Sequence, residues 1–245
     1  MVDAWKKPDS GFWEMRTEPK FFVESRVWCY VALDRAMRLA DELGFDEDIE
    51  KWKPVAAQIR DEILSKGWSE EKMAFAMEYG GKGLDAANLL IPLLYFLPAK
   101  DPRVSSTIKR ITEDLSEGDF LRRYETDDDG LEGKEGTFTV CSFWLVDCLI
   151  RLKRLKEAKR LLEKLLNHAN HLGLYSEEID PTTGRALGNF PQAYTHMGLI
   201  SAGVRFDRAI GISGREGRKG RVLDKRRPHP LNVESPALPG PHLAD

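Results

Sequence analysis

Cysteine is scarce in this chain: Cys29, Cys141 and Cys148 are the only three among 245 residues. So low and odd a count in a chain this long excludes a disulfide-stapled fold. All three fall among apolar helical positions, which reads as free, buried thiols. An excess of charge of either sign is missing too. Lys and Arg number 37 against 40 Asp and Glu, a formal net charge of −3, so a surface that tracks nucleic-acid phosphates is not expected. The longest apolar run, residues 86–99, contains Asn88 and Pro92 and is too short to span a bilayer. The first twenty residues hold Lys6, Lys7 and Arg16 but no apolar stretch. No secretory leader or membrane anchor is therefore expected, and the cytoplasm is the expected compartment. Neither a phosphate-cradling Gly-rich loop nor a dinucleotide fingerprint occurs, and no cofactor is expected.

What is present suffices for a folded core. Hydrophobic residues make up 42% and charged residues 31% of the chain, a balance that excludes a wholly disordered or collagen-like polypeptide. At about 150 residues per domain the length allows one large domain or two small ones.

Helical periodicity dominates. A first helix is expected over residues 22–43, with Val27, Val31, Met37 and Leu39 apolar and Gly44 just past its end. A second starts at Asp46 and carries Ile49, Trp52, Ile59 and Ile63, with Pro54 expected to kink it or mark a second start. A third, almost wholly apolar, opens at Asp85 and runs through Leu94. A fourth begins with Asp101 as cap and Pro102 at the first helical position, and shows Val104, Ile108, Ile111 and Leu115 on one face. An apolar fifth, Thr137 to Leu152, precedes a charged sixth, Leu155 to Asn170, and a seventh from Gln192 to Asp207.

Apolar helices thus alternate with amphipathic ones. Their Gly-containing starts, at Gly83, Gly136 and Gly188, recur about every 52 residues. The loop returning from each outer helix to the next inner one is long, and such loops concentrate function. From about Ser213 the pattern stops: five prolines and seven Lys or Arg follow with no helical period. Residues 213–245 are expected to be a disordered tail, with Lys225-Arg226-Arg227 as solvated charge.

Inner and outer helices with long loops at one end describe an α/α toroid, although a solenoid of interaction repeats shares the alternation. The loops favour the toroid, because they carry acids beside aromatics. One reads Phe12-Trp13-Glu14, another Arg122-Arg123-Tyr124-Glu125-Thr126-Asp127, a third Tyr175-Ser176-Glu177-Glu178. Flat rings stack on sugars while Arg and acids take hydroxyls. Each acid taken alone reads first as a loop ion pair or a helix cap. Asp127-Asp128-Asp129-Gly130 lacks the ligands of a calcium loop and reads as an acidic turn. His168 and His171 lack a third zinc ligand.

The segments DSGFWEMR, RVWCYVALDRA, GLDAANLLIPLLYFLP, RRYETDDDGLEGKEGTFTVCSFWLVD and YSEEIDPTTGRALGNFPQAYTH resemble the C-terminal half of the catalytic domain of glycoside hydrolase family 15, the glucoamylases, glucodextranases and related trehalases. The resemblance covers roughly Pro8 to Ala209. It implies an all-α, (α/α)6-barrel or six-hairpin toroid, here an incomplete barrel of about seven helices. Residues 1–212 would form part of the catalytic domain.

The resemblance also implies an inverting hydrolase acting on α-glucosides, by exo-hydrolysis of α-glucan or by trehalose hydrolysis. By motif match Glu14 falls on the general acid and Glu177 on the general base, with Glu178 adjacent as the alternative. Trp13, Arg123, Tyr124, Asp127, Glu135 and Tyr175 fall in sugar-binding segments. The acid needs a raised pKa, which packing on Trp13 or the opposing carboxylate would supply. No metal, nucleic-acid or membrane partner is implied. Set against a twelve-helix ring, the resemblance leads to the expectation that half of the ring is not in this chain. That makes the chain a fragment, a subunit completed by an N-terminal half, or a non-catalytic remnant that binds carbohydrate or another protein. An open ring is expected to expose Leu89, Leu90, Leu93 and Leu94 and to self-associate.

Overall fold

The computed structural model describes residues 1–125 and 135–211. Among them are seven α-helices: α1 (Val23–Leu43), α2 (Asp46–Lys66), α3 (Leu90–Leu93), α4 (Pro102–Asp114), α5 (Thr139–Arg151), α6 (Leu155–Leu166) and α7 (Ala193–Ile210). The acidic turn at residues 127–130 and the expected tail lie outside the described residues.

The helix ends follow local chemistry. Asp101 accepts the Arg103 backbone N–H at 2.9 Å ahead of Pro102, so α4 starts capped. Gly44 and Gly211 close α1 and α7 in left-handed conformations. Pro54 does not mark a second helix start. Helix α2 runs through it, because Pro54 lies on the exposed face where water can take the carbonyl it leaves unpaired. The expected long third helix is also different. A 3-10 turn, Ala86–Leu89, precedes the single turn α3. Asn88 there donates its side-chain amide to the carbonyls of Phe75 and Ala76 at 3.1 and 2.9 Å.

Helix α1 packs along α2, and α5 packs along both α6 and α7. Every residue of α5 from Thr139 to Ile150 is buried, so α5 lies in the inner layer. Helices α4 and α6 bury one face each and lie outside. One apolar core joins Val27 and Met37 of α1, Ile59 and Ile63 of α2, Ile91, Ile108 and Ile111, Phe143 and Leu149 of α5, and Leu165.

Each long loop contains very short antiparallel strands. Strand β1 (Trp68–Ser69) pairs with β2 (Ala74–Phe75), and β3 (Ser116–Glu117) with β4 (Phe120–Leu121). In the third sheet, β6 (Glu178–Ile179) lies between β5 (Thr137–Phe138) and β7 (Ala186–Leu187). Thus α5 begins at Thr139 rather than Thr137.

Leu89 and Leu90 are buried, and Leu93 and Leu94 are partly buried against the core, which corrects the expected open face. They are covered because their short segment sits between α1 and α5. The exposed apolar stripes are elsewhere. On α7 they comprise Met197 at 63% exposure, Ile200 at 63% and Val204 at 47%, and on α1 Trp28, Leu39 and Leu43.

Candidate active site

The opening segment is tied to α1 by a half-buried ion pair. Asp9 accepts the Arg26 guanidinium at 2.8 Å, the Ser25 hydroxyl at 2.9 Å and the Gly11 backbone N–H at 2.7 Å. Arg26 is almost fully buried and also donates to the Lys7 carbonyl. Gly11 has φ +70°, and a Cβ there would lie 2.9 Å from the Phe22 ring. The turn therefore needs glycine for both conformation and space. It presents Glu14, itself at φ 53°, a strained conformation for a residue with a side chain. Glu14 is exposed.

Trp13 points inward. Its indole N–H donates to Asp85 at 2.8 Å. Its ring centroid lies 4.8 Å from Phe12, 5.2 Å from Phe138, 6.2 Å from Trp144 and 6.4 Å from Tyr124. Phe12 also meets Tyr194 at 5.7 Å. The Arg123 guanidinium lies 5.1–5.4 Å from the Trp13, Tyr124 and Phe138 ring centroids and is ion-paired with Glu135. Rings and cation form one cluster at the loop end of the inner helices.

Strand pairing brings the second acidic segment to it. Phe138 is the register partner of Glu178, and Glu177 accepts the Thr139 N–H on its carbonyl at 3.0 Å. The Glu177 carboxylate accepts the Asn189 backbone and side-chain N–H groups, both at 2.9 Å, and the Gln192 amide at 3.3 Å. Gly188 at φ +68° makes room for it: a Cβ there would sit 2.7 Å from a Glu177 carboxylate oxygen. Glu178 accepts the Gly136 N–H at 3.2 Å. Burial raises its pKa, opposed by the Arg123 charge and the Gly136 N–H.

Of the residues expected at the site, Trp13, Arg123, Tyr124 and Glu135 are thus together. Glu14 adjoins Trp13 in the chain, and Glu177 adjoins the strand that pairs with Phe138. Tyr175 does not join them. Its ring packs on Phe143 and His196 in the core, and its hydroxyl donates to the Leu166 carbonyl. A buried phenol takes the nearest acceptor, and here that acceptor is behind the site. Asp127 lies outside the described residues.

Two carboxyl groups at the cluster were not singled out from the sequence as site residues. Asp85 is buried, and burial pushes it up to about 7, against the Trp13 and Ala87 N–H groups and the Arg123 charge. Glu24, also buried, is pushed up to about 8 by burial and by the Asp85 and Asp9 carboxylates, against the Ser25 hydroxyl and the Phe12 N–H. In the sequence both read as ordinary helix-start acids. Among the described residues no group of three or more His, Cys, Asp or Glu could hold a metal ion, and no helix is long and apolar enough to cross a membrane.

Paired inner and outer helices, with rings, an arginine and carboxyl groups gathered at one loop end, define the class of the α/α-toroid proteins. Comparison with solved structures agrees. A wild-type glycosidase superposes with a TM-score of 0.71 at 17% identity, over 86% of this chain and 57% of that one. A glycoside hydrolase family 15 glucoamylase from Hypocrea jecorina gives 0.68 at 13% identity, over 84% and 45%. The chain belongs to the glycosyl hydrolases family 15, whose family model matches residues 1–204. It is 47% identical to a trehalase of Mycolicibacterium smegmatis over 210 residues, which is 85% of this chain and 31% of that protein. It is 45% identical to a trehalase of Thermoplasma volcanium, over 84% of this chain and 33% of that one. The chain therefore spans about a third of the length of the trehalases it matches.

Proposed function

We propose that residues 1–212 are part of the catalytic domain of an inverting α-glucosidase whose substrate is trehalose. The observation that carries this reading is the contact path between the two acidic loops. Trp13, next to Glu14, packs on Phe138, and Phe138 pairs with Glu178, next to Glu177. Glu14 is the general acid: its carboxyl proton passes to the glycosidic oxygen as the C1–O bond breaks. Glu177 is the general base. It takes a proton from water while the water oxygen bonds to C1 from the opposite face, a geometry that needs the two carboxyl groups about 6.5–9.5 Å apart. Three N–H donors fix the orientation of Glu177. Arg123 and Trp13, with Asp127 and Glu135, hold the terminal glucose, and Tyr124 backs the Trp13 ring.

Trehalose is favoured over α-glucan because relatives 45–47% identical are named trehalases. A glycosidase variant of the same fold was solved in complex with glucose. The exposed Glu14 and the bare apolar stripes on α1 and α7 support a further partner, an N-terminal half or a second copy, that covers the open side. Desolvating Glu14 is what a general acid requires. The three free cysteines suit a reducing compartment, and we place the protein in the cytoplasm.

Glucose release from trehalose and from maltooligosaccharides, with Glu14→Gln and Glu177→Gln variants, tests the reading. Inversion at one of two α-linked carbons yields one β-glucose and one α-glucose per trehalose, which early-time proton NMR resolves. Variants as active as the parent sink the roles. Saccharide binding without turnover, in a folded chain supplied with its covering half, favours a carbohydrate-binding remnant instead.

A further inference from the structure

The turn that presents Glu14 is strained, and its backbone closes through two local bonds, a long one from the Glu14 N–H to the Gly11 carbonyl at 3.3 Å and a normal one from the Met15 N–H to the Ser10 carbonyl at 2.8 Å. A left-handed glutamate persists only where surroundings hold it. One side of the turn is held by Asp9 and Arg26. The other side is held from 72 residues away, where one Asp85 carboxylate oxygen accepts both the Trp13 indole N–H at 2.8 Å and the Ala87 backbone N–H at 2.7 Å. Asp85 is only 3% exposed. Its own segment is anchored to the sugar loop by the Ala86 N–H to the Arg123 carbonyl at 2.7 Å and by the bridge between Asp85 and Tyr124.

We propose that Asp85 is a positioning residue for Glu14. By fixing the Trp13 indole it sets the direction from which the acid reaches the glycosidic oxygen. This rests on the reading of Glu14 as proton donor. The carboxyl touches no reacting atom, and what it contributes is orientation: a shift of about 1 Å in a reacting group costs on the order of 100-fold in rate. An acceptor oxygen is the only requirement. Because burial keeps Asp85 protonated to about pH 7, the neutral amide of asparagine is a close mimic.

The experiment uses the full chain, with parent, Asp85→Asn, Asp85→Leu, Trp13→Phe and Asp85→Leu/Trp13→Phe compared. Asp85→Asn keeps kcat within about 3-fold, since both N–H donors retain an acceptor. Asp85→Leu lowers kcat by about 10- to 100-fold with KM little changed. Trp13→Phe, which leaves the Ala87 N–H capped, lowers kcat similarly, and the double variant loses no more than the worse single variant. A purely structural role for Asp85 predicts otherwise: a lower Tm in Asp85→Leu and losses that add in the double variant, whatever Trp13→Phe costs through its own contact with glucose. Additive losses overturn the proposal, and Asp85→Ala takes the place of Asp85→Leu in the same cycle should that variant fail to fold.

The second readout does not need activity. In a chain labelled with 15N at the indoles, the Trp13 N–H line shifts and broadens in Asp85→Leu and stays sharp in Asp85→Asn. An unmoved line in Asp85→Leu overturns the positioning role. If Glu14→Gln is as active as the parent, or the parent releases no glucose, the functional reading fails while the indole line still decides whether Asp85 orders the turn.

Discussion

Glu177 and Glu178 are neighbours in the chain, yet they give their carboxylates to different partners: Glu177 to Asn189 and Gln192 ahead of α7, Glu178 to the Gly136 N–H near Arg123. Glu177 lies just ahead of β6 and Glu178 is its first residue, so their side chains meet different loops. A base must be ionised when it takes a proton from water, and burial works against that at Glu178. Glu177→Gln is therefore expected to lower kcat on trehalose by about 100-fold or more, in the range of a lost general base, and Glu178→Gln by much less. Gly188→Ala forces a methyl group against the Glu177 carboxylate and is expected to lower kcat without changing KM by more than a few fold. Steady-state kinetics of the three variants check this ordering, and a larger loss in Glu178→Gln reverses the assignment.

Arg123 combines three rings with one carboxylate. Its guanidinium lies over Trp13, Tyr124 and Phe138 and pairs with Glu135, which only a flat, delocalised cation does. Arg123→Lys keeps the charge but loses the stacking and the fork. Its expected effect is a rise in KM for trehalose of about 10-fold, equivalent to roughly 1.4 kcal/mol of binding, with unchanged helical circular dichroism. An unchanged KM removes Arg123 from the glucose site.

The helices were legible because their signals are local. Asp101-Pro102, Gly44 and the periodic faces of α4 and α6 decide their own ends and burial within a turn or two. The strands were not, because two residues are too few to show alternation. Asp85 shows where the site exceeded the sequence. Its capping of the short helix is local and readable, but the same oxygen also takes the Trp13 indole N–H from 72 residues away. Glu24 reads as an acid in a helix's first turn, and only the loops folded over it make it buried. Tyr175 erred in the opposite sense. It neighbours a site segment in the chain, but its ring packs on Phe143 and His196 in the core, a contact set by α5 and α7 rather than by its neighbours in sequence.

The stripe Met197, Ile200 and Val204 recurs at helical spacing on the open face of α7. Such an exposed apolar patch marks an association surface. The parent is expected to sediment as a concentration-dependent mixture of monomer and larger species. Ile200→Glu, which places a charge at the centre of the stripe, is expected to shift it to monomer with no loss of helical content. If the parent is monomeric at every concentration tested, the stripe does not drive self-association, and a separate covering partner becomes the only cover proposed.

Two buried carboxyl groups make the fold sensitive to alkaline pH. Glu24 is pushed up to about 8 and Asp85 to about 7, both mainly by burial. Glu24 faces Asp9, Asp85, the Ser25 hydroxyl and the Phe12 N–H, with Tyr194 close by. In the unfolded chain such groups ionise near pH 4. Between pH 4 and 8 the unfolded state therefore holds fewer protons than the native state, and stability declines as pH rises through that window. The chain is expected to melt highest near pH 5 and lower by several degrees at pH 9. Glu24→Gln carries no charge to desolvate and keeps an oxygen for the Phe12 N–H. It is expected to raise Tm at pH 9 by about 5 °C, in line with 1–2 kcal/mol in a chain of this size, while changing little at pH 5. Thermal melts across pH 5–9 check both statements. Equal gains at both pH values would mean that packing, rather than ionisation, sets the cost of Glu24.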